Sequence, residues 1–256
     1  NDFYFNGNGL PQAWTGGAHF SNKWNEDKNN FNVSYLYKKL NINGIDQTKT
    51  QYILPDTLYY MNQRNNNFSQ RLRNTLSGKY EIQLDSSSSL KFTFSGYKGK
   101  SENNSDFYSE ALNDKSQPVN QSHRNTSSES DEASFNSSIL WRKKFKKVGR
   151  TISARVEQKF NDNDSEGYLD AVNDYYNTNG DIYQVDTINQ RKYNHSKLFT
   201  LNAKVTYTEP LGKNNFLEVN YGYSNTTSSA DRTTYNYDDG KYDELDSLLT
   251  NDYDFL

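Results

Sequence analysis

The chain of 256 residues has no cysteine, which removes disulfides, thiolate metal ligands and a cysteine nucleophile. It has no run of about 18 apolar residues, so no helix in it could cross a membrane, and only strands are left as a way across. Neither charge sign is in excess: 29 Lys and Arg stand against 32 Asp and Glu, a formal net charge of -3. That balance exerts no global pull on nucleic acid or an anionic surface, and no nucleic-acid partner is expected. Hydrophobic residues make up only 32%, and the mean hydropathy is -1.08. On their own those values would describe a disordered chain. The common catalytic signatures are missing too: no Gly-x-Ser-x-Gly elbow, no phosphate loop and no His-Glu-x-x-His. The three histidines, His19, His123 and His195, have neither an i, i+4 partner nor cysteine neighbours. The expectation is a chain that is not an enzyme and carries no cofactor.

What is abundant is aromatic. Phe, Trp and Tyr reach 15%, with 21 Tyr and 14 Phe, and disordered chains lack them. Their placement follows a period of two. From Phe68 the even positions read Phe68, Leu72, Leu76, Tyr80, Ile82 and Leu84, interrupted by Gln70, Asn74 and Gly78, while the odd positions are polar. Successive strand side chains point to opposite faces, so the stretch is a ribbon with one greasy and one polar side. It turns at Asp85 to Ser89 and resumes with Leu90, Phe92 and Phe94. An alternation this long exceeds the ~5–6 residue strand of an ordinary soluble sheet and matches a strand that is apolar toward lipid and polar toward a lumen.

The same unit recurs about every 60 residues. Hairpins are expected over 14–42, 68–97, 133–160 and 197–224, with short turns near residues 27, 87, 148 and 211. Long polar connections are expected over 43–67, 98–132 and 161–196, the first holding a short strand around Tyr52 to Leu54. The opening to Gln12 reads as a loop, and 225–256 as a polar tail. Structureless connections of that length are unusual inside compact soluble domains. Outer-membrane barrels combine short periplasmic turns with long extracellular loops as a rule. The predicted fold is therefore all-β, a single barrel segment over 1–256: an antiparallel up-and-down meander of about eight long strands in an outer-membrane barrel.

Candidate sites follow from this layout. Trp14, Trp24, Tyr80, Trp141, Phe145, Tyr207, Tyr221 and Tyr223 fall toward strand ends on the apolar face, where amphipathic rings form an interfacial girdle. The polar face carrying Arg71, Arg73, Lys79, Glu81, Arg142, Arg155, Glu157 and Lys204 is expected to line the lumen. The basic run from Arg142 to Arg150 is divided between that face and an exposed turn. Asp162, Asp164 and Glu166, followed by Gly167, resemble half a calcium loop, but Asn173 stands where the loop's bidentate Glu belongs. They are the weak metal candidate.

Several stretches resemble a known family. Val205-Thr-Tyr-Thr-Glu-Pro-Leu-Gly-Lys213 with Phe216-Leu-Glu-Val-Asn-Tyr221, Ala18-His-Phe-Ser-Asn-Lys-Trp24 and Ile53-Leu-Pro-Asp-Thr57 are similar to the barrel of Bacteroidetes TonB-dependent receptor-like outer-membrane proteins. The Tyr-Thr-Glu-Pro-Leu-Gly turn is the most specific element. The resemblance implies a bacterial outer-membrane location with lipid around the wall. It also implies a TonB system acting through a plug, and binding or import of a nutrient such as a glycan, peptide or metal chelate. No plug or regulatory domain is recognisable, and Asn1 opens without a signal peptide. An internal section of a larger barrel is therefore expected, with a complete eight-stranded barrel as the alternative. The rival from another class is a soluble or surface-attached β-rich binding or adhesion module.

Overall fold

Alternating greasy and polar side chains can be satisfied only by extended backbone whose two faces meet different surroundings. The computed structural model, which describes residues 7, 9–54, 57–212 and 214–255, is built from such backbone throughout. Its ten strands are β1 (Leu10–Trp24), β2 (Asn29–Leu54), β3 (Thr57–Asp85), β4 (Ser88–Leu112), β5 (Pro118–Lys144), β6 (Thr151–Tyr176), β7 (Ile182–Pro210), β8 (Phe216–Asp238), β9 (Lys241–Leu245) and β10 (Asn251–Phe255). The first eight form an antiparallel meander in chain order. β9 and β10 both return to pair with the upper part of β8.

The register carries the apolar face from strand to strand. Trp24 lies opposite Asn29, and the row continues through Ile82, Leu90, Trp141, Ala154 and Val205 to Tyr221. No second layer packs on this face among the described residues: Phe20 is 55%, Ile139 48% and Tyr221 76% exposed. Leu40, Leu140 and Ala171 are the only buried apolar residues described. A soluble sandwich would need a core where this sheet has an open greasy surface.

That surface is a band, and its height fits a bilayer. On β1 it is bracketed by Trp14 and Trp24, ten residues apart. At ~3.3 Å per residue and a tilt of ~40°, ten residues rise ~25 Å, the apolar height of an outer-membrane barrel. The band also slides across the sheet. Its outermost ring falls from Trp14 on β1 to Tyr223 on β8, which is in register with Asn22, eight residues lower on β1. Strands ~4.8 Å apart and tilted ~40° step ~3 Å each, or about eight residues over seven steps. A drift of that size is what the tilt requires.

The strands do not stop at the band. β2 to β7 are 25 to 29 residues long, whereas about 9–11 residues suffice to cross. The connections expected over 43–67, 98–132 and 161–196 are corrected accordingly: the ladders run on through them to short tips at 113–117 and 177–181. The tail from 225 likewise continues β8 and then supplies β9 and β10, and Pro11 and Gln12 belong to β1. The rest of the expected opening loop, 1–6 and Asn8, lies outside the described residues, as do Pro55, Asp56 and Lys213.

Above the band both faces meet water, so the period of two vanishes while the backbone ladder persists. Polar cross-strand pairs take over from greasy ones. Ser69 donates to Asn103 at 2.8 Å, Ser105 to Asn65 at 2.8 Å, and Ser134 to Asn161 at 2.8 Å. β1 and the lower part of β8 are the two free edges of the described sheet, the edges that a barrel in lipid has to pair.

Candidate functional site

The polar face comes first because alternation places it. Arg71, Arg73, Lys79 and Glu81 on β3, Arg142 on β5, Arg155 and Glu157 on β6 and Lys204 on β7 all project from the side opposite the apolar band. Glu81 sits between Lys79 at 3.1 Å and Lys91 at 3.3 Å, and Arg155 reaches Glu157 at 3.4 Å. Higher up, Arg71, Arg73, Gly99, Ser101, Asn103 and Glu132 surround a cleft of about 270 Å³. The Arg73 guanidinium lies 4.0 Å from the Tyr97 ring centre and 3.6 Å from Glu132. A guanidinium stacked on a ring and paired with a carboxylate can bind planar or anionic groups. Glu132 was not foreseen as a partner of Arg73 because it falls in a stretch expected to be a loop, and Tyr97, the last residue of the expected hairpin 68–97, was assigned no partner.

The aromatic residues divide by height on the apolar face. Trp24 stacks on Tyr80 at 6.0 Å between ring centres, with Phe31 beside Tyr80 at 6.4 Å. The Trp141 indole N–H donates to Ser88 at 3.1 Å. Tyr207 donates to Glu209 at 2.7 Å, next to the turn. At the other end of the band the Lys39 ammonium lies 5.8 Å from the Trp14 ring centre. Tyr221 and Tyr223 occupy the band itself on β8, and Phe145 lies in the turn after β5.

The short turns are braced by charge. In the β3–β4 turn the Asp85 carboxylate accepts from the Ser87 N–H and hydroxyl, both at 2.7 Å, and from Lys143 at 3.1 Å. These donors, Ser87 first, hold its pKa down to about 2. Glu209 accepts from Arg150 at 2.7 and 2.9 Å, from Lys147 at 2.6 Å and from Tyr207. Arg150 first, then Lys147 and Tyr207, hold its carboxyl far below the usual range. The basic run ending at Arg150 is thus partly consumed in tying two neighbouring turns together.

The half calcium loop is no loop. Residues 162–167 are mid-strand in β6, with Asp162, Asp164 and Glu166 side by side on one face. Glu166 is taken by Tyr168 at 2.6 Å and by Arg191 at 2.8 Å, which hold it ionised. In its place β7 brings His195, which bonds Asp164 and lies 3.9 Å from Asp162. Ligand atoms of Asp162, Asp164 and His195 lie within 4.8 Å of one another, and among the described residues these three are the group that could hold a cation. His123 pairs with Asp106 at 2.9 Å and His19 with Ser34 at 2.7 Å. Counting outward from the Asn179-Gly180 tip would have placed His195 opposite Asp164.

Comparison with known proteins bears on this geometry. Residues 143–256 match the outer membrane protein beta-barrel family. No curated protein matches the chain. The match takes in β6 to β10, including the Glu209 turn, and β1 to β5 continue the same meander and the same apolar band. The chain is the wall of an outer-membrane β-barrel, and its place is the bacterial outer membrane.

Proposed function

We propose that this wall belongs to a TonB-dependent-receptor-like protein that binds or imports a nutrient at the cell surface. The observation that carries the reading is the polar face at the upper border of the band, where Arg71, Arg73, Ser101 and Glu132 gather around a cleft, with Tyr97 stacked on Arg73, in strands that continue upward past the lipid. A barrel that only anchored something would have no use for some fifteen further residues of paired strand on each side of the β2–β3, β4–β5 and β6–β7 tips. Asn and Ser amides and hydroxyls, with a stacked arginine, suit polar ligands such as glycans or peptides. Energisation would come through a plug and TonB, as the resemblance implies.

The test is growth of a strain lacking the gene on a panel of single glycans, peptides and metal chelates. Failure on one nutrient, reproduced by loss of TonB and by Arg71→Gln/Arg73→Gln in the restored gene, is the expected result. Unchanged growth on every nutrient, or a defect independent of TonB, would overturn the reading.

A further inference from the structure

The apolar band has a notch. Gly78 and Gly96 carry no side chain of their own; the Phe94 ring lies over Gly78 and the Phe135 ring beside Gly96, and next to them Tyr35, Leu76, Phe94, Gly96 and Phe135 line an open groove of about 280 Å³. Gly96 is locked into that role, since a Cβ there would lie 2.9 Å from the Ser134 carbonyl oxygen. The lining continues past the apolar side chains to Asn74 and Lys98.

The border above the notch is basic. Lys98 follows Gly96 on the same face of β4, between Asn74 and Ala133. Lys39 stands on β2 between Trp14 and Leu72. Neither has a carboxylate directly opposite, and β3 between them presents Asn74, whose amide oxygen accepts from Tyr35 at 2.6 Å and whose NH2 group is left to donate. β3 alone lies between the lysines, and Lys98 sits two residues below Lys100, the residue level with Lys39, so their backbones are ~12 Å apart, a span that two flexible four-carbon stems can close onto one anion. Elsewhere along the border the charge differs. β5 and β6 carry Asp131, Asp162 and Asp164, and Lys197 on β7 lies opposite Asp162. An anion at the border is favoured over β2–β4 and repelled over β5–β6.

We propose that this notch holds one phosphorylated lipid of the outer leaflet, with an acyl chain over Gly96 and a phosphate held by Lys39, Lys98 and Asn74. Charge complementarity selects the headgroup, and the groove selects a lipid over a soluble anion. The site is independent of what the polar face binds.

The test uses the full-length protein in non-ionic detergent micelles, with native mass spectrometry to count retained lipid. The probes are diphosphorylated lipid A, the same lipid after dephosphorylation, and inorganic phosphate. One phosphorylated lipid should be retained with at least about tenfold preference over the dephosphorylated form, as charge-assisted bonds allow. Lys39→Gln/Lys98→Gln should abolish the preference. Leu76→Trp, which fills the groove and leaves the lysines, should also lower retention, and Lys197→Gln should change nothing. Equal retention of the two lipids, a preference that survives the double lysine variant, a loss on Lys197→Gln as large as on that variant, or displacement by inorganic phosphate would each overturn the proposal.

Discussion

Arg150 grips Glu209 through two nitrogens, Nε to Oε2 at 2.7 Å and Nη2 to Oε1 at 2.9 Å, joining the turn after β5 to the end of β7. Forked pairs of this kind fix orientation as well as supplying energy. The Tyr-Thr-Glu-Pro-Leu-Gly run therefore has a mechanical reading: its Tyr207 and Glu209 close a four-residue clamp with Arg150 and Lys147. Glu209→Gln and Arg150→Gln should each lower the urea midpoint of unfolding, because each strands the other's charge. The double variant should fall no further than the worse single one. Additive losses would show that the two do not act together.

The same clamp sets an acid limit. Glu209 and Asp85 both titrate below their ordinary values of 4.5 and 3.8, Asp85 at about 2. A depressed carboxyl contributes stability that is present above its unfolded value and lost as pH falls through the folded one. The contribution of these two groups should be constant above pH 4.5, and midpoints should fall from there toward pH about 2. In Glu209→Gln/Asp85→Asn the fall should be shallower. An unchanged slope in that variant would remove both groups from the account.

β10 behaves oppositely. Asp252 lies opposite Asp231 across the ladder, and the Asp231 carboxylate, by hydrogen bonding and repulsion, raises its pKa. A raised acid gives stability that is present below its unfolded value and lost as pH rises through the folded one. Asp252→Asn should therefore slow amide exchange over 251–255 at neutral pH. Faster or unchanged exchange would contradict the pairing.

The β1–β2 turn carries strain that a single change should relieve. Asn25, Glu26 and Asp27 all have positive φ, at 56°, 55° and 61°. Such a conformation costs a side-chain residue roughly 1–2 kcal/mol, from which glycine is exempt. Glu26→Gly forfeits the Lys28 contact at 2.8 Å, an exposed pair worth ~0.5 kcal/mol or less. The net outcome in urea unfolding should be a gain of ~0.5–1 kcal/mol. A loss would mean that the turn does not hold these angles in solution.

Only part of the sheet could be read from the sequence, and the division is physical. Where lipid makes one face greasy, the period of two is strong, and Phe68 to Leu84 and Phe199 to Tyr207 marked their strands and turns. Above the border both faces are polar, so Asn62 to Asn67 or Ser127 to Ser130 look like loop although they are paired throughout. Two cues there were available and missed: Asn179-Gly180 and Asp239-Gly240, dipeptides of the kind that turn hairpins, sit at the tips of β6–β7 and β8–β9. The pairing of Asp164 with His195 depends on that upper register and stayed hidden with it.

The central claim is that the band between Trp14 and Trp24 lies in the bilayer while the upper strands stand clear of it. Single-tryptophan proteins reconstituted into vesicles, with quenchers fixed at known depths on the lipid chains, test it directly. A tryptophan in place of Phe20 should be quenched most by the deep label, and Trp14 and Trp24 most by the shallow one. Tryptophans replacing Tyr108 and Tyr235 should be quenched by neither. Quenching at 108 as strong as at 20, or none at any of the five positions, would contradict the account.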